Sequence, residues 1–130
     1  MPVKVTQIKG RQFKAEYDGV EIISGRVKKG GPYAGMSPEV LMTSALGLCT
    51  GMHVAAYLEK EGIAHKGLEI TIDSRRDRDP PRTVEFTLNI ALRADLNEKQ
   101  RRDLLEEANR CYVGNTMRGG PVINVNLETE

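Results

Sequence analysis

Ser37-Pro38-Glu39-Val40-Leu41-Met42-Thr43-Ser44-Ala45-Leu46-Gly47-Leu48-Cys49-Thr50-Gly51-Met52 is the stretch on which the fold turns. It begins in the favoured order of a helix N-terminus: a hydroxyl at the cap, a proline where no amide donor is needed, and an acid facing the positive helix end. The pattern predicts a helix running to about Glu61, with Gly62 as the left-handed residue that ends it. Between residues 40 and 56 nearly every face is apolar or small, and apart from Cys49 only His53 is ionisable. A helix that is apolar all round is buried all round. In a chain of 130 residues this calls for a sheet on one side and a second subunit on the other, with Gly47 and Gly51 allowing close backbone approach between the copies.

Upstream of this helix, Val3 and Val5 alternate with Lys4 and Thr6, and Phe13, Ala15 and Tyr17 alternate with Lys14 and Glu16. Lys9-Gly10-Arg11 and Asp18-Gly19 supply the turns, and Val20-Glu21-Ile22-Ile23 follows. The chain therefore opens as a three-stranded antiparallel meander. Residues 24–36 hold four glycines, a proline and Lys28-Lys29, which is loop chemistry. Downstream, Leu68-Glu69-Ile70-Thr71-Ile72-Asp73 and Val84-Glu85-Phe86-Thr87-Leu88-Asn89-Ile90-Ala91-Leu92 alternate on either side of the charged turn Arg75-Arg76-Asp77-Arg78-Asp79-Pro80-Pro81. They read as a long hairpin with one buried face. Asn97 caps a helix through Arg110, with Leu104, Leu105 and Ala108 inward, and Cys111 closes it. Val122-Ile123-Asn124-Val125-Asn126-Leu127 ends the chain as a strand. The order βββ-α-ββ-α-β makes residues 1–130 one α+β domain.

Lysine and arginine total 19 against 18 acids, a formal charge of +1, so no whole-chain field points to nucleic acid or a membrane. The basic residues of the charged turn alternate with aspartates and lack aromatics, unlike a nucleic-acid patch. The N-terminus shows no signal-peptide core, and no run approaches the roughly 20 apolar residues of a span. The expectation is a cytoplasmic protein whose thiols stay reduced unless chemistry oxidises them.

The chemistry then rests on two cysteines in unlike settings, Cys49 on the apolar helix and Cys111 after the charged one. His53 lies one turn from Cys49 and either activates it or packs in the core. Cys49, His53, His65 and Cys111 make a poor zinc set, because the helical pair lacks a matching second pair. Glu39 and Cys49, ten positions apart, are separated by about 15 Å along the axis and about 80° around it. If both serve one site, the glutamate comes from a symmetry mate.

Ser37-Pro38-Glu39-Val40-Leu41, Ala45-Leu46-Gly47-Leu48-Cys49, Pro80-Pro81-Arg82, Ala108-Asn109-Arg110-Cys111-Tyr112-Val113 and Asn115-Thr116 together resemble the OsmC/Ohr family, the osmotically inducible and organic hydroperoxide resistance proteins. The Gly47-Leu48-Cys49-Thr50 surroundings look like its OsmC-like branch. The resemblance implies an intertwined α+β homodimer with thiol-dependent peroxidase activity on organic hydroperoxides. It implies an external dithiol of the lipoyl type as reductant, with no bound cofactor or metal. Position by position, Cys49 matches the peroxidatic cysteine, Cys111 the resolving one, and Glu39 the acid that holds an active-site arginine. Arg11, after Gly10, matches that arginine in the hydroperoxide-resistance branch and is the one expected here; Arg26, before the glycine-rich loop, matches it in the other branch and is the alternative. Active members often carry proline and serine where this chain has Tyr112 and Gly114. The rival reading is an OsmC-like dimer that binds a small molecule without peroxidase turnover.

Overall fold

The computed structural model describes residues 2–129, in which three strands, a long helix, two strands and two shorter helices follow in an α+β order. The chain groups into two compact units, one ending at Ser44 and the other beginning at Ala45.

In the first unit β1 (Lys4–Lys9), β2 (Arg11–Tyr17) and β3 (Val20–Arg26) form the expected antiparallel meander. Asp18 and Gly19 take φ of 49° and 79°, the positive pair that matches a two-residue hairpin loop to the strand twist. β3 runs three residues into the stretch expected as loop. It continues because Gly25, at φ 85°, sits opposite Gln12 where a side chain would strike the Arg11 carbonyl. Just before it the Ser24 hydroxyl donates to the Met36 carbonyl at 2.7 Å.

α1 (Pro38–Lys60) starts and stops as its sequence indicates. The Val40 amide donates to Ser37 Oγ at 3.4 Å. At the other end Gly62 has φ 62°, its amide donates to the Glu59 carbonyl, and the Ile63 amide reaches back to that of Leu58 at 2.9 Å. These bonds satisfy carbonyls that the last turn leaves open, and Ile63 packs on the cluster that contains Leu58. By length and composition α1 would also pass for a membrane-crossing helix, which corrects the expectation that no run comes near that size. Its buried residues Leu46, Thr50, Val54, Tyr57 and Leu58 nevertheless form a stripe at helical spacing, the pattern of a core helix.

In the second unit β4 (Lys66–Arg78) and β5 (Pro81–Arg93) form the long hairpin. The charged stretch expected as a turn is mostly ladder, with Asp79 and Pro80 alone between the strands. Alternating charges are accommodated there by cross-strand partners: Arg75 Nε lies 3.3 Å from Glu85, and Arg82 3.6 Å from Asp77. Ile70 pairs with Ile90 and Ile72 with Leu88 on the half-buried face. Val54, Tyr57, Leu58 and Leu104 form the buried cluster, with Leu68, Ile90 and Leu92 packed against it.

The two helix glycines have a different use from the one expected. Gly47 and Gly51 face the hairpin, where a Cβ on Gly47 would run into Ile72 Cδ1 and one on Gly51 would stand 3.3 Å from Ile70 Cδ1. They let helix and sheet approach within one chain. Alanine gains about 1 kcal/mol of helix propensity over glycine, whereas overpacking costs about 1–3 kcal/mol. Gly51→Ala should therefore leave the urea midpoint unchanged or raised, and Gly47→Ala should lower it. The reverse order would remove this assignment.

α2 (Glu98–Ala108) carries a reciprocal cap, Gln100 N to Asn97 Oδ1 at 2.8 Å and Asn97 N to Gln100 Oε1 at 2.9 Å. Leu104 is buried as expected, but Leu105 is 56% exposed, because the helix presents it to a cleft instead of to the core. α2 also stops short of Cys111. That residue opens a further helix, α3 (Tyr112–Gly119), which the sequence reading did not contain. Residues 122–127 have no ladder partner among the described strands, and Val122 and Val125 are 85% and 88% exposed. Their alternation is that of a strand, but a strand needs a partner, and residues 122–127 pair with none of the described strands.

Candidate active site

Cys49 and Thr50 are consecutive residues of α1, and Cys111 is the N-cap of α3. Cysteine is an unusual cap, yet its sulfur fills the usual role, accepting from the Gly114 amide at 3.3 Å. Thr50, itself 3% exposed, places Oγ1 3.6 Å from the same sulfur. The Cys49 side chain is close enough to Cys111 to help lower its pKa. Cys111 is 2% exposed and Cys49 half-buried, and both are free thiols. The fold thus brings together the two cysteines that lie 62 residues apart in sequence.

A cation completes this arrangement. The Arg118 guanidinium is anchored on Asn109, with Nη1 3.2 Å from its carbonyl and Nη2 3.3 Å from Oδ1. A Cβ placed on Gly114 would lie 3.1 Å from Cys111 Sγ and 3.3 Å from Arg118 Nη1, so sulfur and guanidinium bracket one small space. Burial is the largest single influence on the Cys111 thiol and pushes its pKa up. The Thr50 hydroxyl, the Gly114 amide, the Cys49 side chain and the Arg118 charge outweigh it together, leaving the pKa below the ordinary thiol value. Sequence reasoning missed Thr50 and Arg118. Arg118 follows Cys111 by seven residues, and only the unforeseen helix turns it back toward the sulfur.

Beside Cys111 a cleft of about 650 Å³ opens between β5 and the helices. Leu46, Phe86, Leu88, Leu105 and Met117 give it apolar walls, and Glu85 and Arg118 bring opposite charges to it. An alkyl or aryl group would find a dry surface there.

The other anticipated residues are placed as follows. Arg11 begins β2 and Arg26 ends β3, and the two are direct cross-strand partners. Both candidate positions for the arginine therefore lie at one rung of one ladder. Arg26 is held there by the Tyr33 ring, 4.6 Å from its guanidinium carbon, and donates to the Gly31 carbonyl at 3.5 Å. Glu39 stands in the first turn of α1. His53 Nδ1 lies 4.0 Å from Glu107 Oε2, so neither a tightly packed core histidine nor a base committed to Cys49 describes it. Among the described residues no three His, Cys, Asp or Glu side chains are grouped to hold a metal.

Residues 29–126 match the family model of the OsmC-like proteins. The chain belongs to the OsmC-like protein family. No curated protein sequence matches it significantly. Among solved structures it is similar to an OsmC-like protein from Mycoplasma pneumoniae, at 18% identity and a TM-score of 0.76 over 92% of this chain and 87% of the other. It is also similar to the organic hydroperoxide resistance protein OhrB of Bacillus subtilis, at 17% identity and a TM-score of 0.56 over 92% and 93%. An organic hydroperoxide resistance protein from Elizabethkingia anophelis matches at 21% identity and a TM-score of 0.58, over 92% and 90%. At these identities the likeness is one of fold.

Proposed function

We propose that the chain is a thiol peroxidase that reduces organic hydroperoxides, and the observation that carries this reading is the contact between Cys49 and a polarised, buried Cys111. The Cys49 thiolate attacks the terminal peroxide oxygen, the O–O bond breaks, and the alkoxide takes up a proton to leave as an alcohol. Cys49 is then a sulfenic acid. The Cys111 sulfur attacks it, hydroxide departs as water, and a Cys49–Cys111 disulfide forms. An external dithiol of the lipoyl class reduces that disulfide, in a cytoplasm where thiols are kept reduced.

The active form in this reading is a two-fold homodimer. Leu48 and Met52 on α1 are 68% and 72% exposed, and residues 122–127 present apolar side chains without a ladder. Glu39 and one arginine, Arg11 or Arg26, attend the Cys49 thiolate from the second copy.

Thiol titration before and after one stoichiometric dose of cumene hydroperoxide tests the proposal. Both thiols of each chain should disappear together and return with a dithiol. Loss of neither would end the peroxidase reading. The 650 Å³ cleft beside Cys111 would then favour small-molecule binding without turnover.

A further inference from the structure

We propose that Thr50, Gly114 and Arg118 make Cys111 the departing sulfur of a Cys49–Cys111 disulfide, so that an external dithiol attacks at Cys49. The inference rests on the reading of these cysteines as a redox pair and adds the direction in which the pair is reset.

Two independent features point the same way. The first is access. Cys111 is 2% exposed behind the N-terminus of α3, whereas Cys49 is half-buried on α1. A nucleophile must approach the attacked sulfur from outside, and Cys49 is the more exposed of the two. The second is the cradle for the charge that appears on the leaving sulfur. The Gly114 amide is 3.3 Å from Cys111 Sγ, the Thr50 hydroxyl is 3.6 Å away, and the Asn109-anchored Arg118 guanidinium flanks the same space. Exchange is faster when the leaving thiol is the more acidic one. A lowered Cys111 pKa agrees with that role.

The electron count closes without any further reactant. One thiolate of the external dithiol donates its electron pair to Cys49 Sγ. The Cys49–Cys111 bond breaks, and its pair leaves on Cys111 as a thiolate held by the amide, the hydroxyl and the guanidinium. The second thiol of the reductant, as thiolate, then attacks its own sulfur in the mixed disulfide. That releases the Cys49 thiolate and a cyclic disulfide, so the protein gains two electrons and the dithiol loses two. At Gly114 a side chain would press on both Cys111 Sγ and Arg118 Nη1, so glycine keeps the cradle open.

The test oxidises the full-length protein with diamide, not peroxide, to form the disulfide, then adds a limiting monothiol, cysteamine, with an acid quench. Trypsin separates the two sites, because Cys111 lies between Arg110 and Arg118 and Cys49 does not. The adduct should be found on Cys49. An adduct mainly on Cys111, or no internal disulfide with diamide, overturns the proposal. Thiolate absorbance of Cys49→Ser, followed against pH, reads Cys111 directly. It should titrate below an ordinary thiol, rise with Arg118→Met added, and rise with Thr50→Val but not with Thr50→Ser. An ordinary or higher value in Cys49→Ser itself, or no response to Arg118→Met, overturns it as well. Since no step uses a hydroperoxide, failure of the peroxidase reading would show in the cumene hydroperoxide titration and not here.

Discussion

Cys49→Ser should abolish hydroperoxide consumption, while Cys111→Ser should consume about one equivalent per chain and stop. The asymmetry follows from the roles proposed for the two sulfurs. Without Cys49 the more exposed sulfur and proposed nucleophile is gone, and Cys111 is only 2% exposed. Without Cys111 the first oxidation still occurs, but the sulfenic acid on Cys49 has no partner and stays open to further oxidation. Consumption should be followed by a peroxide assay, with the sulfenic acid trapped by dimedone and weighed by mass spectrometry. Equal loss of the first turnover in both variants would erase the assignment. If Cys49→Ser kept its first turnover and Cys111→Ser did not, the assignment would be reversed.

The largest effect on stability should come from Leu58→Ala. Leu58 is completely buried at the last turn of α1, where it packs with Val54, Tyr57 and Leu104 and where its carbonyl accepts the Ile63 amide. Truncating such a side chain costs about 2–5 kcal/mol, a large part of a total that is usually about 5–15 kcal/mol. Leu48→Ala, ten residues earlier at 68% exposure, is the informative companion. In an isolated chain its cost should stay within about 0.5 kcal/mol. A larger cost, with an unfolding midpoint that rises with protein concentration, would place Leu48 in the interface between two copies. Urea melts at two concentrations decide between these outcomes.

What was legible in the sequence was what local chemistry determines. Ser37, Pro38 and Gly62 announce both ends of α1, and the structure shows their hydrogen bonds. Asp18-Gly19 and the Asn97 cap are equally short-range. The misreadings have one physical origin, the need for a partner distant in sequence. Gly47 and Gly51 are small because Ile72 and Ile70 lie against them, a fact that spacing along a helix does not carry. Residues 122–127 alternate like a strand but pair with none of the described strands. α3 was hidden because its cap is a cysteine and two of its eight residues are glycine, both poor helix signals. At the site, both cysteines were visible, but Thr50 and Arg118 belong to it only through tertiary contact.

Arg11 and Arg26 are fifteen positions apart in the chain and face each other across one rung of the β2–β3 ladder. Two sequence positions that look like competing answers are one address on the protein. A lineage that lost the arginine at one of them and gained it at the other would move its cation by a single cross-strand spacing, about 5 Å, and keep the positive charge in place. The price of holding both at once is mutual repulsion, and the Tyr33 ring over Arg26 draws one guanidinium aside. For proteins built on this meander, the quantity to compare between relatives is the charge at the rung, and an alignment column that loses its arginine is not evidence that the cation has gone.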